Sequence, residues 1–299
     1  MKLQAGILGY GNLGKSLENN ILECSQFELK AIFSRRNIAN KLYVPTRQIA
    51  EYKGKLDVLF IALGSYNDTA ENVRIFAAFD TVDSFDTHAK IAAYKKLLNG
   101  EKPNTVSVCA TGWDPGILSI CRGIFALGGG KTATFWGEGI SQGHSNALRA
   151  IQGVLDAVEI TAPIATAVEN SKRGEFAEEN LRHERICYVA CVESDKKRVE
   201  REIREIPNYF AGQKVTVHFC SAQEVREIRQ NTQHAGTVIA CGDGYTAQTR
   251  LDVVCNTDFT AKIMIAYAKA IPQLKRDGYV GALDPFDIPL KYLVDSNLV

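Results

Sequence analysis

The chain has 299 residues, with 35 Lys and Arg against 34 Asp and Glu and a formal net charge of +1. This length is enough for two domains with a large core, and the balanced charge argues against nucleic acid or an anionic membrane surface as a partner. No apolar run approaches the roughly 20 residues that cross a bilayer, and no signal-peptide pattern is seen, so we expect a cytoplasmic protein.

The first predicted strand, 3–8, runs into Gly9-Tyr-Gly-Asn-Leu-Gly14 and a helix over 12–22. A strand, a Gly-x-Gly-x-x-Gly turn and a helix form the fingerprint of a dinucleotide-binding βαβ unit. Gly9 permits the tight turn, Gly11 lets the backbone approach a pyrophosphate, and Gly14 allows close helix–strand packing. The free N–H groups at the start of the helix are then available to the phosphates.

The next predicted strand, 27–33, leads into Ser34-Arg-Arg36, where an NAD-dependent protein would place an acid on the ribose 2′-hydroxyl. A carboxylate there would repel a 2′-phosphate, whereas guanidinium groups bind a phosphate bidentately. The sequence therefore favours NADP over NAD. The alternative interpretation is a glycine turn beside a solvated basic pair.

Three further apolar strands, at 57–62, 80–84 and 105–109, alternate with helical patterns at 69–78 and 87–98. β-Branched runs separated by helices predict a doubly wound parallel sheet of the Rossmann type, covered on both faces. Such a sheet binds its ligand beyond the carboxyl ends of its strands. The loops at those ends are 9–13, 34–36, 63–66, 84–86 and 111–115.

Two of these loops carry side chains suited to an amine substrate. Trp113 can stack over a ring or wall a pocket, and the Asp114 carboxylate can hold an ammonium group. The alternative for this segment is an Asp-Pro-Gly turn beside a buried tryptophan. Asp86 follows another strand, where it is suited to the site, to capping the next helix, or to both.

Beyond about residue 118 strands dominate, which predicts a second, α+β domain built on a mixed or antiparallel sheet. We predict an NADP-binding domain over 1–118 plus about 258–299, with the last helix packed back on it. A substrate-binding and dimerisation domain is predicted over 119–257. Strands are expected at 131–136, 157–167, 184–193, 213–219 and 246–255, and helices at 145–151, 195–205 and 258–274.

Polar groups in the second domain suggest a pocket. The segment 135–145 combines Trp136, Gln142 and His144 with several glycines, which favours a pocket loop over a merely connecting one. Arg185 stands at the head of a strand, where it can clamp a carboxylate or form a surface ion pair. His234 is ambiguous when taken alone.

Eight cysteines are spread along the chain without a Cys-x-x-Cys pair, which predicts reduced thiols rather than a disulfide framework. Cys187 and Cys191 share one face of an apolar, strand-like run, and packing explains them better than metal binding does. The five histidines show no metal-ligand spacing. We therefore predict no metal site.

Several strings resemble the meso-diaminopimelate dehydrogenase family, and the likeness spans nearly the whole chain. The strings that carry it are Gly9-Tyr-Gly-Asn-Leu-Gly14, Phe33-Ser-Arg-Arg36, Thr111-Gly-Trp-Asp-Pro-Gly116, Phe135-Trp-Gly137, Ser141-Gln-Gly-His-Ser145, Pro207-Asn-Tyr-Phe210 and Asp258-Phe-Thr-Ala261. The resemblance implies reversible NADP-dependent oxidative deamination of meso-2,6-diaminopimelate at its D-configured carbon, in lysine biosynthesis. It also implies a homodimer.

The resemblance assigns roles at matching positions. Asp86 and Asp114 would face the reacting D-amino group, and Trp113 and Trp136 would shape the pocket around it. The other implied substrate contacts are Gln142, Gly143, Thr161, Arg185, His234 and Asn256. The implied cofactor contacts are Gly9, Tyr10, Gly11, Asn12, Leu13, Gly14, Ser34, Arg35, Arg36, Leu63, Gly64, Ser65, Ser84 and Phe85. Members of the family carry Asp after the His-Ser of the glycine loop, whereas this chain has Asn146.

Two other functions fit parts of the same pattern. One is a related NADP oxidoreductase, such as a broad-specificity D-amino-acid dehydrogenase or a sugar dehydrogenase. The other is a non-catalytic NADP-binding sensor, against which the tryptophan and aspartate loops argue. The residues alone leave open whether Asp86, Asp114 or a water molecule accepts the substrate proton.

Overall fold

A computed structural model describes residues 2–64, 68–101, 104–207, 209–230 and 233–294. The chain divides into two compact units, which are considered separately. The first unit comprises Met1–Ile120 and Thr257–Val299, and the second comprises Cys121–Asn256.

The strands are β1 (Leu3–Leu8), β2 (Phe27–Ser34), β3 (Tyr43–Pro45), β4 (Val58–Ile61), β5 (Thr81–Asp83), β6 (Val106–Val108), β7 (Lys131–Trp136), β8 (Gly139–Ile140), β9 (Val154–Pro163), β10 (His183–Cys191), β11 (Lys214–Phe219), β12 (His234–Gly242), β13 (Tyr245–Val253) and β14 (Gly281–Leu283). The helices are α1 (Asn12–Glu23), α2 (Asp68–Glu71), α3 (Val73–Phe76), α4 (Ile91–Glu101), α5 (Ile117–Ala126), α6 (Gln142–Arg149), α7 (Ala165–Lys172), α8 (Lys196–Glu205), α9 (Ala222–Arg229) and α10 (Asn256–Arg276).

The first unit contains a seven-stranded, wholly parallel sheet in the order β3-β2-β1-β4-β5-β6-β14. Its central strands are continuous apolar runs, and all four residues of β4 are buried, as a sheet covered on both faces requires. Helix α1 buries Leu17 and Ile21 on one stripe, and α10 adds Met264 and Ala268 to the same core. The predicted Rossmann-type sheet is confirmed, and α10 packs in the same core.

The sequence-based elements of the first unit need three corrections. The helix predicted over 69–78 is two short helices, α2 and α3, interrupted at Asn72. The helix predicted over 87–98 begins as a 3₁₀ turn, His88–Lys90, before α4. Strands β3 and β14, of three residues each, were missed, and both are edge strands of the sheet.

The second unit has two sheets. The four-stranded sheet runs β11-β10-β9-β8, antiparallel except for the parallel pair of β10 with β11. The three-stranded sheet runs β13-β12-β7 and is antiparallel throughout. Helices α6 and α8 cover one face of the four-stranded sheet, where Leu148, Val199 and Ile203 meet Cys187 and Val189. The predicted α+β domain with mixed and antiparallel pairing is confirmed.

Boundaries in the second unit were less accurately predicted. The strand expected over 157–167 ends at Pro163, and helix α7 begins at Ala165, because proline cannot donate to a continuing ladder. Helix α6 begins at Gln142 rather than 145, since the Ser141 hydroxyl caps it by accepting from the His144 N–H. Strand β12, and helix α9 with its Ser221–Glu224 capping box, were not predicted.

All eight cysteines are free thiols. Within the part of the chain that the structure describes, no His, Cys, Asp and Glu side chains group in a way that could hold a metal ion. Over the same residues, none of the helices combines the length and apolarity needed to traverse a bilayer.

Candidate active site

A cleft of about 450 Å³ opens at the carboxyl ends of the central strands of the first unit. Strand β1 lies between β2 and β4, so the chain order reverses there, and ligands of open α/β sheets bind at this switch point. The cleft is lined by eight of the predicted cofactor residues, namely Gly9, Tyr10, Gly11, Ser34, Arg35, Arg36, Leu63 and Gly64.

Each of the three fingerprint positions is a glycine for a different geometric reason. Gly9 has a φ of +102°, and a Cβ there would lie 2.4 Å from the Ala62 carbonyl oxygen. A Cβ on Gly14 would lie 2.3 Å from the Gly9 carbonyl oxygen, so this position serves close packing. A Cβ on Gly11 would meet no atom of the described residues within 4 Å. Gly11 therefore leaves open space at the helix N-terminus, as a bound pyrophosphate requires.

The ribose end of the cleft presents two exposed arginines and an ordered turn. The Ser34 hydroxyl accepts from the Arg36 N–H at 3.1 Å, which shapes the turn directly after β2. The Arg35 guanidinium lies 3.1 Å from the Asp68 carboxylate, which also lines the cleft. Both groups of this pair are well exposed, so solvent screens their attraction and Arg35 can transfer to a phosphate at little cost.

The remaining predicted cofactor residues lie around the same strand ends. Asn12, Leu13 and Gly14 form the first turn of α1. Ser84 and Phe85 directly follow β5, and the Phe85 ring stacks on Tyr94 with centroids 4.4 Å apart. Ser65 lies outside the described residues. The Tyr10 hydroxyl donates to Glu18 on α1, which holds this ring at the edge of the cleft and raises the pKa of the phenol.

Asp83, which the sequence analysis missed, joins the two loops that carry the predicted catalytic acids. One oxygen of its carboxylate accepts from the Phe85 N–H at 2.9 Å and from the Ala110 N–H at 3.1 Å. The other accepts from the Tyr94 hydroxyl at 2.8 Å, and the Asp83 carbonyl accepts from Thr111. Ala110 has a φ of +58°, so these bonds hold a strained backbone immediately before the Trp113 loop.

Asp86, Trp113 and Asp114 all lie in the loops that Asp83 fixes. Asp86 is exposed, three residues after the end of β5. The Asp114 side chain is 0% exposed, and its carboxylate lies 3.8 Å from the His88 imidazole. Trp113 is half-buried against the core of the first unit, and its carbonyl accepts from the Leu118 N–H. The two acids therefore occupy different environments: the Asp86 side chain is exposed to solvent, whereas the Asp114 side chain is buried.

We expect Asp83→Ala to lower the free energy of unfolding by about 3 kcal/mol or more, because three buried donors lose their acceptor. Tyr94→Phe removes one of those bonds and serves as the matched control, with an expected loss of about 1 kcal/mol. Denaturant unfolding of both variants measures the difference. Equal losses in the two variants would contradict the role given to the Asp83 carboxylate.

In the second unit, Arg185 and Thr161 lie directly opposite each other on β10 and β9. The Arg185 Nη1 donates to the Thr161 hydroxyl at 2.6 Å, and that hydroxyl donates to the Glu159 carboxylate at 3.0 Å. A Glu159 oxygen lies 3.8 Å from Nη1, and the Glu159 side chain is 0% exposed. Two predicted substrate residues are thus held together by an acid that sequence analysis did not single out.

A chain of hydrogen bonds runs from Arg185 to the start of helix α6. The Arg185 Nε donates to the Gln213 side chain at 2.7 Å, and Gln213 donates to the Tyr209 carbonyl at 2.8 Å. The same carbonyl lies 3.2 Å from the His144 Nε2, which must donate because a carbonyl only accepts. The His144 Nδ1 then accepts from the Ser141 hydroxyl at 2.8 Å. Burial lowers the pKa of His144 to about 3, so this imidazole is neutral.

Gln142 and Gly143 form the exposed first turn of α6, directly after Ser141. The Glu159 backbone anchors this turn, since its N–H donates to Ser145 and its carbonyl accepts from the Ser141 N–H. The Asn146 side-chain oxygen accepts from Arg149 on its own helix at 2.5 Å.

The remaining predicted residues of this unit lie on other elements. Trp136 stacks on His183 with ring centroids 5.2 Å apart, and its backbone N–H donates to the His183 Nε2 at 2.8 Å. Burial lowers the pKa of His183 to about 3, so this ring is a neutral support for Trp136. The His234 Nε2 donates to the Ile140 carbonyl of β8. Asn256 is half-buried at the first position of α10.

Four supporting residues were missed by sequence analysis: Asp83, Glu159, His183 and Gln213. Glu159 had a detectable signal, because a charged residue inside an apolar strand pattern needs a partner. The other three gave no local sign of their roles.

Known proteins match this chain over almost its full length. Residues 112–258 match the family model for the diaminopimelic acid dehydrogenase C-terminal domain. The meso-diaminopimelate D-dehydrogenase of Acetivibrio thermocellus is 40% identical, over 98% of this chain and 94% of the relative. The corresponding protein of Corynebacterium glutamicum is 36% identical, over 99% and 97%.

Solved structures agree with these relatives. The DAP dehydrogenase of C. glutamicum in complex with DAP superposes with a TM-score of 0.92 at 35% identity, covering 99% of this chain and 97% of that one. An engineered D-amino acid dehydrogenase bound to NADP⁺ superposes with a TM-score of 0.88 at 34% identity, covering 100% and 98%.

Proposed function

The chain belongs to the meso-diaminopimelate dehydrogenase family, and we propose that it catalyses the NADP-dependent oxidative deamination of meso-2,6-diaminopimelate at its D-centre. The substrate, water and NADP⁺ give L-2-amino-6-oxopimelate, ammonia, NADPH and a proton, and the reaction is reversible. The observation that carries this proposal is full-length similarity at 36 to 40% identity to four relatives that all bear this activity's name.

The first unit supplies the cofactor site. Gly11 and the first turn of α1 would hold the pyrophosphate, and Ser34, Arg35 and Arg36 would hold the 2′-phosphate. When bound there, NADP⁺ would supply the acceptor for the hydride that leaves the D-carbon of the substrate. Leu63, Gly64, Ser65, Ser84 and Phe85 would line the rest of the cofactor groove.

The buried Asp114 carboxylate would stabilise the substrate ammonium and the iminium that forms at the D-carbon, because charge interactions strengthen where water is excluded. Asp86 is exposed, so it is placed to exchange a proton with solvent. Trp113 and Trp136 would restrict how the carbon chain lies, which sets the C–H bond at the distance that transfer needs.

The second unit would bind the L-configured end of the substrate. Arg185 and Thr161 provide a guanidinium and a hydroxyl held in fixed positions, a pair suited to a carboxylate. Gln142, Gly143, His234 and Asn256 would add polar contacts. A ligand bound in the reverse direction would leave buried partners unmatched, which accounts for the stereochemical choice.

The direct test is a spectrophotometric assay of NADP⁺ reduction with the separated diaminopimelate isomers. We expect NADPH formation with the meso isomer and little with the LL isomer. Equal rates on both isomers would refute the stereochemical assignment. Faster turnover of simple D-amino acids than of the meso isomer would indicate a broad D-amino-acid dehydrogenase instead.

We expect Arg35→Asp to raise the Km for NADP⁺ by about 100-fold and to leave the Km for NAD⁺ within a few-fold. The new carboxylate replaces a partner of the 2′-phosphate with a repelling charge, a change worth roughly 3 kcal/mol. Steady-state kinetics with both cofactors measures this change. Asp68→Asn, which releases Arg35 without altering it, is the control and should not weaken NADP⁺ binding. Equal losses for the two cofactors would remove the 2′-phosphate argument.

We further assign NADP binding to the first unit and substrate binding with dimerisation to the second. A homodimer, a cytoplasmic location and a place in lysine biosynthesis follow from the family resemblance. Light scattering on the purified protein tests the dimer directly, and a monomer at assay concentrations would contradict it.

A further inference from the structure

Glu159 is a buried acid that the proposed chemistry does not use. Its side chain is fully enclosed on β9, opposite Cys187 and diagonal to Arg185. Both of its oxygens accept from the Thr161 hydroxyl, at 3.0 and 3.2 Å, and Thr161 in turn accepts from Arg185. Glu159 therefore interacts with Arg185 in two ways, directly as an ion pair and through the Thr161 hydroxyl that contacts both side chains.

We propose that Glu159 is a positioning residue that sets the net charge of the Arg185 site, so that binding of the distal substrate carboxylate is coupled to a proton on Glu159. This inference rests on the proposed function, because it takes that carboxylate as the ligand of Arg185. With Glu159 protonated, the site carries the full Arg185 charge. With Glu159 ionised, the two charges cancel and an incoming carboxylate meets a neutral site.

The electrostatics of the site fit this coupling. Burial, opposed by Arg185 and by the Thr161 hydrogen bond, raises the pKa of Glu159 to about 7. A bound carboxylate is a second negative charge nearby and raises that pKa further. Binding therefore takes up a proton near neutral pH, and affinity is highest below the pKa of free Glu159 and falls as pH rises through it.

The other titratable groups near Glu159 do not change charge in this range. His144 on α6 and His183 on β10 have pKa values lowered to about 3 and are neutral. Burial raises the pKa of the Cys187 thiol well above neutrality. Arg185 keeps its charge. His234 lies against β8, next to β9, and it is unchanged in the comparison of the wild type with Glu159→Gln.

The test measures the Kd of meso-diaminopimelate for the protein–NADPH complex, in which no hydride acceptor is present. For the wild type we expect the Kd to rise about ten-fold between about pH 6 and about pH 8.5. Glu159→Gln keeps an acceptor for Thr161 and should bind with a Kd that changes less than about two-fold over the same range. The proposal would be overturned if the Kd of this variant changed with pH as much as that of the wild type (the wild-type slope), or if the variant did not bind at either pH.

Two controls test whether the pH dependence of the Kd comes from Glu159 and the distal carboxylate rather than from any nearby carboxylate or any ligand. Glu184→Gln alters a carboxylate next to Arg185 in sequence that pairs with Lys214, and it should keep the wild-type slope. D-Lysine lacks the distal carboxylate and should bind without the slope. A flat Glu184→Gln profile or a full slope with D-lysine would count against the coupling.

Calorimetry of the wild type in two buffers of different ionisation enthalpy needs no variant. Near pH 7.5 we expect uptake of about half a proton or more per ligand bound, and no uptake would overturn the proposal. Pimelate, a dicarboxylate without amines, is a probe for carboxylate binding at Arg185 that works even if the protein turns over no amine. If the Kd of pimelate depends on pH but meso-diaminopimelate gives no NADP⁺ reduction, the proposed function alone is refuted. If meso-diaminopimelate is turned over but the Kd does not depend on pH, only this inference is refuted.

Discussion

Asp114→Asn is expected to lower kcat for meso-diaminopimelate oxidation by about 100- to 1,000-fold while leaving NADP⁺ binding within a few-fold. The Asp114 side chain is 0% exposed, so its charge acts in a medium that screens it little. Removing one preorganised group that faces developing charge costs about 3 to 4 kcal/mol in other enzymes, which corresponds to this loss. Stopped-flow and steady-state measurements of NADPH formation give the rate, and cofactor titration gives the binding.

Asp86→Asn provides the comparison for this prediction. Asp86 is exposed, so water can replace part of its electrostatic effect and the expected loss is smaller. If the order of the two losses is reversed, Asp86 rather than Asp114 carries the larger share of the charge stabilisation. An Asp114→Asn variant with the wild-type kcat would remove this residue from the catalytic group altogether.

Arg185→Met is expected to lower kcat/Km for meso-diaminopimelate by about 1,000-fold, mostly through a higher Km. The Arg185 side chain is 12% exposed and its guanidinium is held by Gln213, Thr161 and Glu159, so it is already ordered before a carboxylate arrives. Truncating one partner of a buried charge pair costs about 2 to 5 kcal/mol. The variant also removes the Arg185 charge that opposes the effect of burial on Glu159, so the pKa of that carboxyl rises further.

Two measurements identify the origin of that loss. D-Lysine has no distal carboxylate, so its kcat/Km should change much less than that of diaminopimelate. Arg182→Met is the matched control, because Arg182 lies close by in sequence and donates to the Ala177 carbonyl rather than to the Thr161 group. Equal losses with both substrates would mean that Arg185 supports the fold of the site rather than binding the carboxylate.

The cofactor half of the candidate site could be predicted from sequence because its chemistry is local. The turn at Gly9, the open space at Gly11 and the close packing at Gly14 are demands of a few consecutive residues on their own backbone. The arginines after β2 are likewise placed by their distance along the chain from that turn. The alternating strands and helices of the first unit are also local patterns, whereas its two edge strands, β3 and β14, escaped prediction.

The interactions that support the proposed substrate residues were decided by the tertiary structure. Arg185 and Thr161 are separated by more than twenty positions, and only the antiparallel register of β10 with β9 places them opposite each other. The same register makes Glu159 a buried counter-charge, and the approach of Gln213 from the loop before β11 completes the network. Asp83 similarly became a link between loops only when β5 and β6 paired.

The sequence by itself determined the nucleotide fold, the preference expected at the ribose and the family. It could not determine which buried acid balances which buried cation. That choice depends on burial and on strand register, which arise from contacts between residues far apart in the chain, whereas turn geometry and helix starts depend on residues next to one another.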